Sequence, residues 1–104
     1  MRPLQALLAL LAAALVLPGM TAADSAALRG AALANACAAC HGPDGRSQGA
    51  IPSIDALSAE DFVVALKAFR AETRQGTVMN RIAKGLDEAD IAALAAYFAT
   101  LQKR

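Results

Sequence analysis

Aromatic residues are scarce in this chain, which has no tryptophan, one tyrosine and three phenylalanines among 104 residues. A short chain buries a smaller fraction of its surface than a long one, so few aromatics leave it a marginal core. An excess of one charge sign is also missing, because ten Lys and Arg stand against nine Asp and Glu. Nucleic-acid binding needs a basic excess, and we therefore expect no nucleic-acid partner.

Histidine and cysteine are rare too, yet they occur together. The chain has one His and two Cys, and all three lie in Cys37-Ala38-Ala39-Cys40-His41, a C-x-x-C-H pattern. This pattern is the attachment signature of a c-type haem, in which the two thiols bind the macrocycle covalently and the imidazole ligates the iron. A buried haem would also supply the apolar bulk that the sequence lacks.

Three other uses of these residues are weaker. A structural zinc site needs four Cys or His ligands, and this chain offers three. A thioredoxin-like redox pair needs a βαβ setting, whereas no convincing strand is visible in the sequence. A disulfide between Cys37 and Cys40 would close a very small loop and stabilise little. We therefore interpret the motif as the covalent site of one haem c.

The N-terminus contains the only long hydrophobic run. Arg2 precedes an apolar segment over residues 4–17, and at about 14 residues this segment is shorter than the roughly 20 that a membrane-spanning helix needs. Small residues follow it, as at a signal cleavage site. We expect a cleaved signal peptide over residues 1–23, and a periplasmic domain without a membrane span over residues 24–104. Since bacteria mature c-type haem outside the cytoplasm, the signal and the haem motif support each other.

Met79 is the only methionine after the predicted signal, and it follows His41 by 38 residues. Methionine is usually core filler, but polar residues surround this one. We interpret it as the second axial ligand of the iron, opposite His41. Sulfur ligation raises the reduction potential and fills the sixth position, which favours electron transfer over catalysis or ligand sensing at this haem.

Capping residues and apolar residues at helical spacing predict an all-α fold. The predicted segments are a helix from Asp24 or Ser25 to Asn35, a loop over 42–57, a helix capped by Ser58, a short helix over Val78–Lys84 that ends at Gly85, and a last helix capped by Asp87. Gly30 lies inside the first helix, where it favours close contact with another helix.

Four further residues are candidates for the haem surroundings. A ligating histidine needs its second ring nitrogen oriented, and the segment around Pro52 is placed to supply a carbonyl. Arg70 and Arg74, which follow Phe69, are candidates to pair with haem propionates. The alternative for each arginine is an ordinary solvated helix face.

These features together resemble class I cytochromes c. The resemblance rests on C-x-x-C-H after an N-terminal helix, a Met about 40 residues later, and Ala96-Tyr97-Phe98 in the last helix. It implies the class I cytochrome c fold, in which helices wrap around one covalently attached haem. It also implies that the first and last helices cross, with Gly30 and Leu33 against Leu94 and Tyr97.

A narrower resemblance is carried by Ala50-Ile51-Pro52-Ser53-Ile54, by Phe69-Arg70 and by the run from Thr77 to Gly85. These segments are similar to the cytochrome subunit of flavocytochrome c sulfide dehydrogenase. The resemblance implies a flavoprotein partner subunit whose FAD oxidises sulfide and passes electrons singly to the haem, so that this chain is not catalytic alone. The alternative is a free-standing soluble carrier of the c4 or c5 type that delivers electrons to an oxidase or photosynthetic centre.

Overall fold

A computed structural model describes residues 18–102, which form four α-helices: α1 (Ala22–His41), α2 (Ala59–Arg70), α3 (Met79–Lys84) and α4 (Glu88–Leu101). A short 3₁₀ turn, Pro43–Gly45, follows α1. No strand occurs in this part of the chain, and the all-α prediction is confirmed. Most of the predicted signal segment, residues 1–17, lies outside the described residues. Within residues 18–102 no helix is long and apolar enough to span a bilayer.

The predicted starts of two helices are confirmed by their caps. Ser58 Oγ accepts a hydrogen bond from Asp61 N–H at 3.0 Å, at the start of α2. Asp87 accepts from Asp90 N–H at 2.7 Å while the Asp90 carboxylate accepts from Asp87 N–H at 3.0 Å, which closes a capping box on α4. Each bond satisfies a backbone N–H that the first helical turn leaves without a partner.

The predicted bounds of the first helix are wrong. Thr21 caps α1 through a capping box with Asp24, and the helix continues beyond Asn35 to His41. The physical reason is local, because the segment after Gly30 is rich in alanine, the best helix former, and contains no breaker before Gly42. The C-x-x-C-H motif therefore forms the last turns of α1.

The crossing of α1 and α4 organises the core. Gly30 is buried, and a Cβ at this position would coincide with the Ala93 carbonyl group and lie 3.2 Å from Tyr97 Cβ. The expected close approach at Gly30 is thus confirmed, although the residues directly opposite it are Ala93 and Tyr97. Leu33 and Tyr97 pack at the edge of the core cluster, whose fully buried side chains lie on α4.

An ion pair joins the same two helices. Arg29 Nε on α1 donates to Asp90 Oδ1 on α4 at 2.6 Å. Asp90 is only 7% exposed, and its pKa is lowered, first by the hydrogen bond from Asp87 N–H and then by Arg29. The residue that closes the capping box therefore also anchors α1 to the start of α4.

The remaining helices pack on the other side of α4. Phe62 on α2 stacks on Phe98 on α4, with ring centroids 5.2 Å apart, and α3 packs on α2. Among the described residues no Cα atom of α1 lies within 8 Å of one in α2 or α3. Since α4 alone bridges the two groups, the C-terminal end of α1 and the α2–α3 pair are separated.

Candidate haem site

The last two turns of α1 carry the three residues of the motif. Cys37 and Cys40 are three residues apart and His41 is four residues from Cys37, so the three lie along one side of the helix. Cys37 is half-buried and packs against the core cluster, and burial raises the pKa of its thiol. Cys40 is exposed. Both thiols, which lie within the described residues, are free for covalent attachment.

The His41 imidazole is oriented by a backbone carbonyl. Its Nδ1 lies 2.5 Å from the carbonyl oxygen of Pro52. A carbonyl only accepts, so Nδ1 carries the proton and donates, which leaves the Nε2 lone pair for a metal. The sequence-based expectation that the segment around Pro52 supplies such a carbonyl is confirmed.

The loop that carries Pro52 is closed at its base by three contacts. Ile54 N–H donates to Gly45 O at 2.8 Å, Ser47 N–H donates to Ser53 Oγ at 2.9 Å, and Arg46 pairs with Asp55 at 3.0 Å. These contacts fix the ends of the loop tip, so the Pro52 carbonyl is held at the imidazole. The sequence shows the breakers of this loop, but not these contacts, because they join residues six to nine positions apart without a local motif.

Gly45 is required at the base of this loop. It is buried with φ 78°, in the left-handed region that favours glycine. A Cβ here would lie 2.9 Å from both Ile54 Cγ1 and Phe98 Cε1. The base of the loop is therefore pressed against α4 at a position where no side chain fits.

Met79 is the first residue of α3, and its side chain is half-buried against the core cluster. Phe69, at the end of α2, is half-buried as well, and the Arg74 guanidinium lies over its ring, 4.6 Å from the centroid. Gly76 lies between them, since a Cβ on it would be 3.0 Å from Phe69 Cε1 and 3.3 Å from Met79 Cβ. The thioether and the phenyl ring thus belong to one packed unit.

The two candidate propionate partners have other contacts in this structure. Arg70 donates to Leu86 O at 3.2 Å and pairs with Glu88, which Lys67 also contacts at 2.9 Å. Both cations lower the pKa of Glu88. Arg70 thereby ties α2 to the start of α4, a role that sequence reasoning missed, and propionate pairing by Arg70 and Arg74 stays a prediction.

The residues present fit a covalently bound haem. Two thiols and an imidazole with its Nε2 available lie on one side, on α1, while a thioether and an aromatic ring lie on the separate α2–α3 unit. This donor set is the one that haem c uses in its His/Met form. In residues 18–102 no three Cys, His, Asp or Glu side chains cluster as a metal ion would require, so the zinc alternative lacks ligands.

Comparison with known proteins agrees with this site. The family model of Cytochrome c matches residues 27–102. The cytochrome subunit of sulfide dehydrogenase from Chlorobaculum tepidum is 45% identical over 76 residues, which cover 73% of this chain and 69% of that protein. Cytochrome c-554(548) of Halomonas halodenitrificans is 38% identical over 68 residues, covering 62% of this chain and 82% of the relative.

A third relative is named for its role as an electron acceptor. The thiosulfate dehydrogenase electron acceptor of Stutzerimonas stutzeri is 37% identical over 84 residues, covering 75% of this chain but 39% of that longer protein. The Cytochrome c match includes the C-x-x-C-H motif, Met79 and all of α4. The chain therefore belongs to the cytochrome c family, as an all-α class I c-type cytochrome that carries one covalently bound haem c and transfers electrons.

Proposed function

We propose that this chain is the periplasmic haem subunit of a sulfide-oxidising flavocytochrome. In this proposal Cys37 and Cys40 hold the haem, His41 and Met79 ligate its iron, and a flavoprotein subunit with FAD supplies the electrons. The observation that carries the partner assignment is the 45% identity to a cytochrome subunit of sulfide dehydrogenase. Periplasmic location is supported by the apolar N-terminal run and by the external maturation of c-type haem.

The division of labour follows from the side chains. Haem c, when bound, supplies one-electron chemistry by cycling between Fe(III) and Fe(II). His41 is held in one tautomer by the Pro52 carbonyl, which keeps Nε2 available as a ligand. The Met79 thioether is proposed to occupy the opposite position, where it favours the reduced iron and keeps substrates away from it. Sulfide chemistry is then left to the flavoprotein, and this chain is not catalytic alone.

A free-standing carrier is the second candidate, and it has support of its own. A relative named only cytochrome c-554(548) aligns over 82% of its length, so a chain of this size can form most of such a protein. In that case the chain would diffuse between a donor and an oxidase or photosynthetic centre. The two candidates share the haem site and differ in whether a flavoprotein stays bound.

Native gel filtration of the periplasmic extract separates the candidates. Haem and flavin absorbance are read together across the column. Co-elution at about one to one, at the mass of a heterodimer, supports the dehydrogenase subunit, and sulfide should then reduce the haem in those fractions. Elution of the haem alone, at the size of one small domain, would contradict the permanent partner and favour the free carrier. Haem found only in the cytoplasmic fraction would contradict the proposed location.

A further inference from the structure

The Asn80 side chain is half-buried and makes three hydrogen bonds to the backbone. Its Nδ2 donates to Phe69 O at 2.9 Å and to Arg74 O at 2.7 Å, and its Oδ1 accepts from Gly76 N–H at 2.9 Å. Two carbonyls face the nitrogen and one N–H faces the oxygen, so only one orientation of the amide satisfies all three. This amide therefore uses both donors and its acceptor within one loop.

The three bonds close the segment between α2 and α3, residues 71–78, here called the Met79 loop. The loop leaves α2 through a reversal in which Thr73 N–H donates to Ala68 O at 3.0 Å and Glu72 N–H to Phe69 O at 3.2 Å. Glu72 has φ 60°. From there the chain must return to α3, and the Asn80 amide joins the end of α2, the middle of the loop and the first turn of α3.

Other contacts at the start of α3 are few. The N-cap residue Val78 supplies no side-chain hydrogen bond, and α3 has only six residues, too few to be stable without tertiary contacts. Among the described residues α3 packs only on α2. The Lys84–Glu72 ion pair, at 2.8 Å, lies at the far end of α3 and is exposed. Asn80 is thus the main side-chain anchor beside Met79.

We propose that Asn80 is a positioning residue for the axial thioether: its amide locks the Met79 loop and so sets how firmly Met79 binds the iron. The inference rests on the proposed ligation by Met79. Asn80→Asp is the informative change, because it keeps the shape and the acceptor for Gly76 but places an oxygen opposite two carbonyls. Asn80→Ala removes all three bonds.

Imidazole binding to the ferric holoprotein measures this anchoring, because imidazole must displace the thioether from the sixth position. The titration, followed by the visible haem spectrum, is run on the parent, Asn80→Asp, Asn80→Ala, Met79→Ala and Gln75→Ala. Gln75 is a matched control in the same loop, since its amide makes one exposed hydrogen bond to Glu72 O at 3.2 Å. Denaturant unfolding of each holoprotein is measured in parallel.

We expect Met79→Ala to bind imidazole most tightly, as the limit without a thioether. Both Asn80 variants should bind about tenfold more tightly than the parent, as expected when two or more hydrogen bonds of modest net strength are lost. Gln75→Ala should stay within about twofold of the parent, since one exposed hydrogen bond contributes little.

The outcomes separate this inference from the ligand assignment. If Met79→Ala and the parent bind imidazole equally, Met79 is not a ligand, and both the assignment and the role of Asn80 are overturned. If Met79→Ala binds more tightly while the Asn80 variants match the parent, the ligand assignment stands and the positioning role is overturned. Asn80 variants that unfold more easily but keep the parent's imidazole affinity would show a purely structural residue.

Discussion

Replacing Gly30 by alanine should weaken the crossing of α1 and α4, which supports the haem-binding end of α1. Two effects oppose each other. Alanine is favoured over glycine inside a helix by about 1 kcal/mol. Against this, the new Cβ would coincide with the Ala93 carbonyl group and lie 3.2 Å from Tyr97 Cβ.

The steric effect should win. Overpacking a core costs about 1–3 kcal/mol, and the upper end applies because the obstacle is helix backbone, which cannot rotate away as a side chain can. The net loss is then about 2 kcal/mol after the helix-propensity gain. For a domain of this size it corresponds to a fall in Tm of roughly 8–16 °C.

Thermal unfolding of the holoprotein, followed by far-UV circular dichroism, tests this prediction. Gly49→Ala is the matched control, since no atom lies within 4 Å of a Cβ placed there and its φ is not positive. The control should unfold at or slightly above the parent temperature. A Gly30→Ala variant as stable as the parent would show that the two helices separate at little cost, and would refute the reasoning.

Two further predictions concern charged residues. Asp90→Asn should lower Tm at neutral pH, because it weakens the contact with Arg29; the lowered pKa means that the carboxylate contributes fully above the ordinary Asp value of about 3.9 and loses its contribution as pH falls through the lower folded-state value. Tm measured against pH should show the parent and variant converging in acid, and a constant gap would argue against the ion pair. Glu72→Gly should raise Tm by a few degrees, because glycine adopts φ 60° without strain; an unchanged or lower Tm would show that the contact with Lys84 outweighs that strain.

Local signals in the sequence predicted the parts of the fold that short-range chemistry determines. Ser58 and Asp87 were expected as caps, and both accept the N–H bonds that a cap must accept. The carbonyl partner of His41 was also predictable, since a ligating imidazole needs one and Pro52 lies in the loop that follows. Gly30 was expected at a close approach because glycine otherwise only weakens a helix.

Contacts between distant residues were not predictable in the same way. Asp90 was expected to favour the helix N-terminus as an exposed acid, yet it is buried against Arg29, 61 positions away. Arg70 was assigned to the haem surroundings, and its contact with Glu88 depends on how α2 meets α4. The three bonds of Asn80 require the folded course of the Met79 loop. Such pairings have no spacing rule, since only the tertiary packing brings the partners together.

The departure at the end of α2 is also informative. Ala71 and Glu72 stand where a helix commonly ends in a left-handed glycine. The structure nevertheless makes the same reversal, with Glu72 at φ 60° and its N–H bonded to Phe69 O. The chain therefore keeps the turn that leads to Met79 at some cost in backbone strain.

Potentiometric titration of the holoprotein beside Met79→Ala tests the central claim, electron transfer by a haem with His41 and Met79 as ligands. The account predicts that the parent titrates as one one-electron step with a raised potential. The variant should lose the parent's visible spectrum and titrate at a clearly lower potential, because thioether ligation stabilises the reduced iron. A variant with the parent's spectrum and potential would contradict the account, since another group would then hold the sixth position.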